Sequence, residues 1–531
     1  MSIQKIRSTL LSKPADTRAV RSVQILFTGG VLLFICWFIY FAFFTATLPY
    51  QIEYREGAAQ VLTHILLQGG NPFSIENQPL GMNNYGIAYN LFVLPLAAAF
   101  GNTLFVHRAV TFVFLLLSFL LLCRTIFRLN ENMPFAMACG LFAVICLAGR
   151  GGLGAVPNAA GTFLFLAGIL VPFNRSFDRY GLFLSALFSL IAFYTKPYFV
   201  LSFGIVASYL FIFVSKKKGW QYSLLFALLF GFTFMLVRYS SKFYFIDIFV
   251  SNLPRSNRSL GHVYEQLLQL GKELCLAVMI GCAALLPGIT QLDFRTISFS
   301  GLWSRLNLRS LEEPVISRRL DYFAYSLMVS SLAFISILGL NHGNYMTYSY
   351  QLMAPPFFLW LFKQVRPQTR LALISMPLLL LNLLSLCQVL LNPVFLRQGD
   401  SPEWARLYRY VHSSNDILNS PVIASEMVQL GMQPFDSGHT EFYYSIPPYS
   451  RNILLGPNYE TVVENGRQYT KAENDKIRNA EYDLIVLSKG HTRLIPQGLL
   501  RQYYIKITEI TLQMPQAYQT LTVEIWEPMA K

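Results

Sequence analysis

Long apolar runs recur between residues 21 and 391, and they restrict the chain to folds that can occupy a lipid bilayer. Each run is about as long as a helix that crosses a hydrocarbon core of roughly 30 Å. Of all 531 residues, 54% are hydrophobic and 13% charged, whereas about a quarter are charged in a soluble domain. We therefore predict a polytopic α-helical membrane protein with about eleven transmembrane helices. They lie near 22–46, 99–123, 135–149, 157–173, 181–195, 198–214, 221–238, 273–290, 323–340, 347–362 and 371–391.

The net charge of +14 is distributed unevenly along the chain. Residues 1–399 carry a net charge of +17, and residues 400–531 carry −3. Because the excess Lys and Arg lies in short loops between apolar runs, where membrane topology selects for it, we predict no nucleic-acid partner. All seven cysteines lie in or at the ends of apolar runs without metal-site spacing, so we predict neither a disulfide framework nor a zinc site.

The loop charges also predict the orientation of the chain. Loops rich in Lys and Arg, such as 216–218 and 363–370, alternate with loops poor in them. By the positive-inside rule the N-terminus is cytoplasmic, and an odd number of spans places the C-terminal end outside the cell (inner) membrane. We predict a transmembrane domain at 1–391, with long external segments at 47–98 and 239–272, and a soluble extracytoplasmic domain at 392–531.

The composition changes after residue 400 in a way that predicts a small α/β domain. Three short segments have the pattern of strands: "SPVIASEMV", "YDLIVLSKG" and "TLTVEIWEP". The segment "PEWARLYRYVHSS" has the pattern of a helix.

The first external segment is predicted to form a short amphipathic helix at the membrane surface. Its apolar residues from Ala58 to Leu66 repeat at helical spacing, and the other face carries Glu53 and Glu56. A carboxylate beside hydrocarbon is costly. One interpretation is a general base whose pKa is raised by partial desolvation. The alternative is an ordinary solvated helix face, with Arg55 balancing Glu56.

In its order of motifs the sequence resembles the GT-C superfamily of membrane glycosyltransferases, most closely the aminoarabinose-transferase and protein-mannosyltransferase type. The motifs are "REGAAQVLTHILLQGGNPF", "NNYGIAYNLFVLPLAAAFGNTLFVHRAVT", "FYTKPYFVL" and "HGNYMTYSYQLMAPPFFLW", followed by "EYDLIVLS" and "VEIWEP". Two positions depart from the family pattern. Arg55 stands where the family has the Asp of an Asp-Glu pair, and Asn158 replaces an acid.

The resemblance implies transfer of a sugar from a polyprenyl-phosphate donor to an extracytoplasmic lipid, glycan or protein acceptor, by inverting displacement. We predict that Glu56 is the base, with Glu53 supporting it or taking its place. Lys196, Arg108 and Arg150 are candidates to hold the leaving phosphate. The alternative for these cations is snorkelling, in which the charged head simply reaches water.

Weaker candidates to line the substrate site are Tyr85, Tyr89, Asp247, His342 and Tyr348. The tyrosines suit an interfacial aromatic belt equally well, and Asp247 suits the end of a partly buried external helix. No metal ligand set is predicted and no cofactor is certain, while a divalent metal stays open. Two other functions also stay open, a lipid or solute transporter (a flippase) and a non-catalytic membrane scaffold.

Overall fold

The computed structural model describes residues 17–250, 258–289, 320–340, 347–365, 370–390, 401–440, 458–489, 495–514 and 519–529. The first part is helical. Its helices are α1 Thr17–Thr47, α2 Glu56–Leu67, α3 Ala88–Phe100, α4 Leu104–Asn130, α5 Met133–Leu147, α6 Asn158–Asn174, α7 Arg179–Thr195, α8 Leu201–Tyr209, α9 Lys216–Ser240, α10 Leu260–Glu273, α11 Cys275–Ile289, α12 Tyr322–Ala333, α13 Thr347–Leu352, α14 Ala354–Gln364 and α15 Arg370–Leu390.

Most of the helices follow the predicted apolar runs, but α10 lies in the segment 239–272, which the sequence analysis predicted to be an external loop. Four helical segments of the described chain are long and apolar enough to cross a membrane: Val20–Thr47, Leu104–Asn130, Pro197–Val214 and Lys216–Ser240. A fifth would be α10 with the start of α11, which meet at a bend of 85°. Further apolar helices are shorter, so the number of eleven crossings stays a prediction.

The segment 47–98 is more structured than the sequence analysis predicted. It contains α3, an apolar helix that the sequence analysis left inside a loop, and Gly101 separates α3 from α4. Helix α2 forms as predicted, but it begins at Glu56, so Glu53 lies in the preceding turn. The polar side of α2 is also packed rather than solvated, because the Gln60 side chain is buried and donates a hydrogen bond to the Asn102 carbonyl, at 2.9 Å.

The C-terminal region, residues 401–529, combines helices with one small sheet. Its helices are α16 Pro402–His412, α17 Ala424–Gln429, α18 Asn458–Arg478 and α19 Gln497–Tyr503. Its strands are β1 Ile417–Leu418, β2 Leu484–Ser488, β3 Tyr504–Met514 and β4 Gln519–Pro528, in the order β1-β2-β4-β3. Strand β1 runs parallel to β2, and the other neighbours are antiparallel. The predicted strand in "SPVIASEMV" was wrong: Pro421–Ile423 is a 3-10 turn and Ala424–Gln429 is α17.

The C-terminal region packs on the turn that precedes α2. Trp404 stacks on Tyr50 with the ring centroids 4.8 Å apart. Gly57 lets α17 approach α2, because a Cβ at this position would lie 2.6 Å from the Ala424 Cβ. Leu48, Tyr50 and Ile52 thus share a hydrophobic core with this region. We call the end of the helices that it covers the domain-facing end.

Candidate functional site

A cluster of charged and aromatic side chains lies at the domain-facing end, centred on Tyr85. Three segments meet there: the turn before α2, the loop that carries Tyr85, and the link after α7. Gly86 fixes this meeting, because its amide donates to the Thr195 carbonyl at 3.0 Å. A Cβ on Gly86 would lie 1.8 Å from the Tyr194 carbonyl oxygen, so a larger residue would push the loop away. The approach places Tyr85 next to Lys196.

Two cations share the Tyr85 side chain. The Arg55 Nη1 donates to the Tyr85 hydroxyl at 2.5 Å. The Lys196 Nζ lies 3.9 Å from the centroid of the Tyr85 ring and donates to Asn158 Oδ1 at 2.5 Å. Within the described residues, Glu53 is the carboxylate that pairs with this group, with its Oε1 2.5 Å from Arg55 Nε. With Lys196 charged, the cluster therefore has an excess of positive charge.

The pKa values of the cluster follow from burial. Burial lowers the pKa of Lys196 well below its ordinary value, and Arg55 lowers it further, against the weaker attraction of Glu53. Burial raises the pKa of Glu53, and the opposing effect of Arg55 is smaller. A buried lysine of this kind gains a full charge most easily when an anion binds beside it.

Aromatic and polar residues from other segments extend the cluster. The Tyr198 hydroxyl donates to Gln351 Oε1 at 2.5 Å, and the Tyr198 ring lies 4.6 Å from the Tyr348 ring. His439, from the C-terminal region, meets the Tyr85 ring edge-on at 4.9 Å. His439, Tyr85 and Arg55 line one small cavity. The C-terminal region therefore covers the site as well as packing on the helices.

A second carboxylate–arginine pair, Glu56 with Arg108, lies beside this cluster and is completely buried. Arg108 donates from Nε and Nη2 to the two Glu56 oxygens at 2.8 Å each. Its remaining N–H groups reach the carbonyls of Thr45, Leu48 and Tyr50 at 2.7 to 3.2 Å. An Arg side chain has five N–H donors, so Arg108 has none left.

The Glu56 carboxylate is equally saturated. Besides the two bonds from Arg108, it accepts the backbone amides of Ile52 and Ala155 at 2.7 Å each. Four short hydrogen bonds fill the four lone-pair positions of a carboxylate. Glu53, in contrast, accepts two hydrogen bonds, both from Arg55. The structure thus brings Lys196 and Glu53 into one cluster and places Glu56 with Arg108 in another.

The other candidates are dispersed. Tyr89 is buried in α3, where its hydroxyl donates to the His107 carbonyl at 3.0 Å, and it lines the small cavity. Asp247 is buried and accepts a hydrogen bond from Gln78 Nε2 at 2.8 Å, and burial raises its pKa. Tyr348 joins the aromatic group around Tyr198. The Arg150 side chain and all of His342 lie outside the described residues.

The sequence analysis did not identify His439 as a site residue. It lies more than 350 residues after Tyr85, and the local sequence "DSGHT" indicates a turn but gives no sign of its partner. Gly438 has a φ of 103°, and a Cβ at this position would lie 2.8 Å from the Tyr54 carbonyl oxygen, so glycine allows this turn to lie close to the site. Among the described residues, no group of three or more His, Cys, Asp or Glu side chains could hold a metal ion.

Two solved structures are similar to this chain. Crystal structures of ArnT from Cupriavidus metallidurans, bound to undecaprenyl phosphate and in the apo state, match with TM-scores of 0.56 and 0.53. Each match is 10% identical in sequence and covers 94% of this chain and 98% of ArnT. No protein-family model matches the sequence, and no curated protein matches it. The likeness concerns the fold: the described chain has the fold of ArnT, and the predicted helical membrane-protein fold with a small C-terminal α/β part is confirmed.

Proposed function

We propose that this chain is a membrane glycosyltransferase that moves a sugar from a polyprenyl-phosphate donor to an extracytoplasmic acceptor. One observation carries the proposal: Arg55 and Lys196 converge on Tyr85, with Glu53 as the carboxylate beside them. The site lies where apolar helices end and a covering region begins, which is where a lipid-linked sugar meets an acceptor from water. The ArnT crystal structure with undecaprenyl phosphate supports the same donor class.

The two cations suit the phosphate of the donor. Arg55 can offer a planar fork of N–H groups, and Lys196 a compact charge. Its lowered pKa means that Lys196 takes up a proton as the anion binds. Charge placed where the leaving phosphate develops its own charge lowers the barrier by several kcal/mol in order of magnitude.

Glu53 suits the role of base. The acceptor oxygen attacks the anomeric carbon, the bond from that carbon to the phosphate oxygen breaks, and the acceptor proton passes to Glu53. The polyprenyl phosphate leaves as an anion, so no acid is needed, and the displacement inverts the anomeric centre. When the donor phosphate draws the Arg55 guanidinium away, the Glu53 carboxylate loses its ion pair, keeps the bond from the Arg55 amide, and becomes a stronger base.

This proposal moves the base from Glu56 to Glu53 and replaces Arg108 with Arg55 among the phosphate ligands. The reason is that Glu56 and Arg108 have no hydrogen-bonding group left for a ligand. Their groups are bonded to each other and to the backbone, so they are positioning residues that hold the turn before α2. We keep the predicted orientation, with a cytoplasmic N-terminus and the site and C-terminal region outside.

The test uses native membranes and a panel of radiolabelled polyprenyl-phosphate sugars. We expect a labelled product with the wild type, and a loss of about 10²- to 10⁴-fold in rate with Glu53→Gln, because general-base help is typically of that size. Glu76→Gln is the matched control, since Glu76 is an exposed carboxylate in the same segment. A folded Glu53→Gln variant with unchanged turnover would contradict the proposal.

A further inference from the structure

A second cavity, of about 510 Å³, lies at the end of the helices opposite the candidate site. It is bounded by α4, α6, α7 and the link between the last two. Arg124 and Arg128 on α4 line it, and they follow Arg108 by 16 and 20 residues of one helix. At 1.5 Å per residue this is about 24 and 30 Å, the thickness of a hydrocarbon core. The cavity therefore lies at the other membrane face.

The charges that line this cavity do not cancel. Arg175 is neutralised by Asp178, whose Oδ2 lies 2.7 Å from Arg175 Nη2. Arg128 donates one hydrogen bond, to the neutral Asn174 carbonyl at 3.0 Å. Arg124 has no hydrogen bond or ion pair within the described part of the chain. Like charges one helical turn apart destabilise a helix, so this uncompensated pair favours an anion between or beside them.

The cavity also has an apolar side. Leu121, Val171 and Leu184 line it and are half-buried, and Leu121 lies one turn before Arg124 on the side of the bilayer interior. The positive-inside rule accounts for arginines at this face, but it does not require them to converge on a cavity with an apolar wall. Basic pockets between membrane helices are suited to anionic lipid head groups.

We propose that this cavity binds an anionic phospholipid of the leaflet opposite the candidate site. Arg124 and Arg128 bind the phosphate of the head group through charge-assisted hydrogen bonds. The first part of the acyl chains lies along Leu121, Val171 and Leu184. A soluble phosphate ion lacks those apolar contacts, so the lipid is the ligand that fits both halves of the cavity. This site is independent of the proposed glycosyl transfer.

The test compares the full chain with two double variants in mixed micelles. Arg124→Gln with Arg128→Gln removes the two cations of the cavity. Arg179→Gln with Lys217→Gln removes the same charge from exposed residues at the same face that do not line the cavity. Phosphatidylglycerol is titrated against a phosphatidylcholine background, and apparent affinity is read from the shift in unfolding temperature, with inorganic phosphate as a separate arm.

General attraction to an anionic surface falls by roughly fivefold for each Arg or Lys removed, and it affects both variants equally. We expect the cavity variant to lose about tenfold more affinity for phosphatidylglycerol than the control variant, because it also loses charge-assisted hydrogen bonds. Arg124→Lys with Arg128→Lys keeps the charge and should recover part of the loss. Equal losses in the two Gln variants, or an equal shift with inorganic phosphate, would overturn the proposal.

Discussion

Two carboxylate–arginine pairs have their carboxylates three residues apart, Glu53 in the turn before α2 and Glu56 at its first position, and they differ in their hydrogen bonding. Glu56 and Arg108 are fully buried, and each has its hydrogen-bonding capacity filled. Glu53 and Arg55 are tied more loosely: the Arg55 side chain is 24% exposed, and Arg55 also reaches Tyr85. A saturated pair fixes a backbone, whereas an unsaturated pair can exchange partners with a ligand. The number of hydrogen bonds, more than burial, distinguishes Glu56 from Glu53, the proposed base.

The largest expected effect comes from breaking the saturated pair. Glu56→Gln leaves Arg108 with an uncompensated buried charge, so we expect the free energy of unfolding to fall by about 3–5 kcal/mol. Glu53→Gln should cost less, on the order of 1 kcal/mol, because Arg55 is partly exposed and keeps Tyr85. Reversible unfolding in mixed detergent micelles measures both. If Glu56→Gln were as stable as the wild type but inactive, the two roles would have to be exchanged.

The second effect concerns Lys196 and the donor. Lys196→Met removes one charged phosphate ligand, so donor affinity should fall by roughly 10- to 100-fold. Stability should not fall, because the buried amine is costly to the folded protein in the absence of an anion. Equilibrium binding of a polyprenyl-phosphate sugar, together with the same unfolding assay, checks both expectations. A variant that binds the donor normally and unfolds more easily would make Lys196 a structural residue like Arg108.

The contrast between the pairs also explains what the sequence could predict. Apolar runs specify their own helices, because each run must satisfy its backbone inside lipid. Most of the helices therefore lie on the predicted apolar runs. Helix α3 was missed because its 13 residues follow a polar loop, and α10 was missed because its sequence is amphipathic, with charged residues among the apolar ones. The pairing of Glu56 with Arg108 spans 52 residues and depends on how α1, α2 and α4 pack, which no local pattern encodes.

Arg55 and Asn158 illustrate the same limit in the site. In the sequence, each appeared as a departure from the acids of the family pattern. In the structure, Arg55 holds Glu53 and Tyr85, and Asn158 accepts a hydrogen bond from Lys196. The absence of the two acids was therefore informative. An arginine and a neutral amide in their places leave the cluster with more positive charge. This meaning depends on contacts that only the fold supplies.

The third effect is a pH dependence that sharpens the role of Lys196. Its pKa is lowered in the free protein, chiefly by burial and then by Arg55, and a bound anion raises it again. Binding therefore takes up a proton, and donor affinity should fall as pH rises, by up to about tenfold per unit between the free and bound pKa values. The phosphodiester of the donor does not titrate between these pKa values, so the pH dependence reports on the protein. Donor affinity measured from about pH 7 to about pH 9 in wild type and in Lys196→Arg provides the test.

Because a guanidinium stays charged over this interval, the Lys196→Arg variant should show a flat profile. A wild-type profile that is equally flat would mean that Lys196 does not take up a proton when the donor binds. A profile that rises with pH would contradict the sign of the proposed proton uptake.

The smallest effect separates the hydroxyl of Tyr85 from its ring. Tyr85→Phe removes one acceptor for Arg55, which keeps Glu53, and leaves the ring beside Lys196, so donor affinity should change by no more than roughly tenfold. Tyr85→Leu removes the cation–π contact as well, which contributes about 0.5–2 kcal/mol, and should weaken binding further. The same donor-binding assay distinguishes them. Equal losses in the two variants would show that the Tyr85 ring does not stabilise the Lys196 ammonium. The contribution of Tyr85 to donor binding would then come from its hydrogen bond with Arg55 alone.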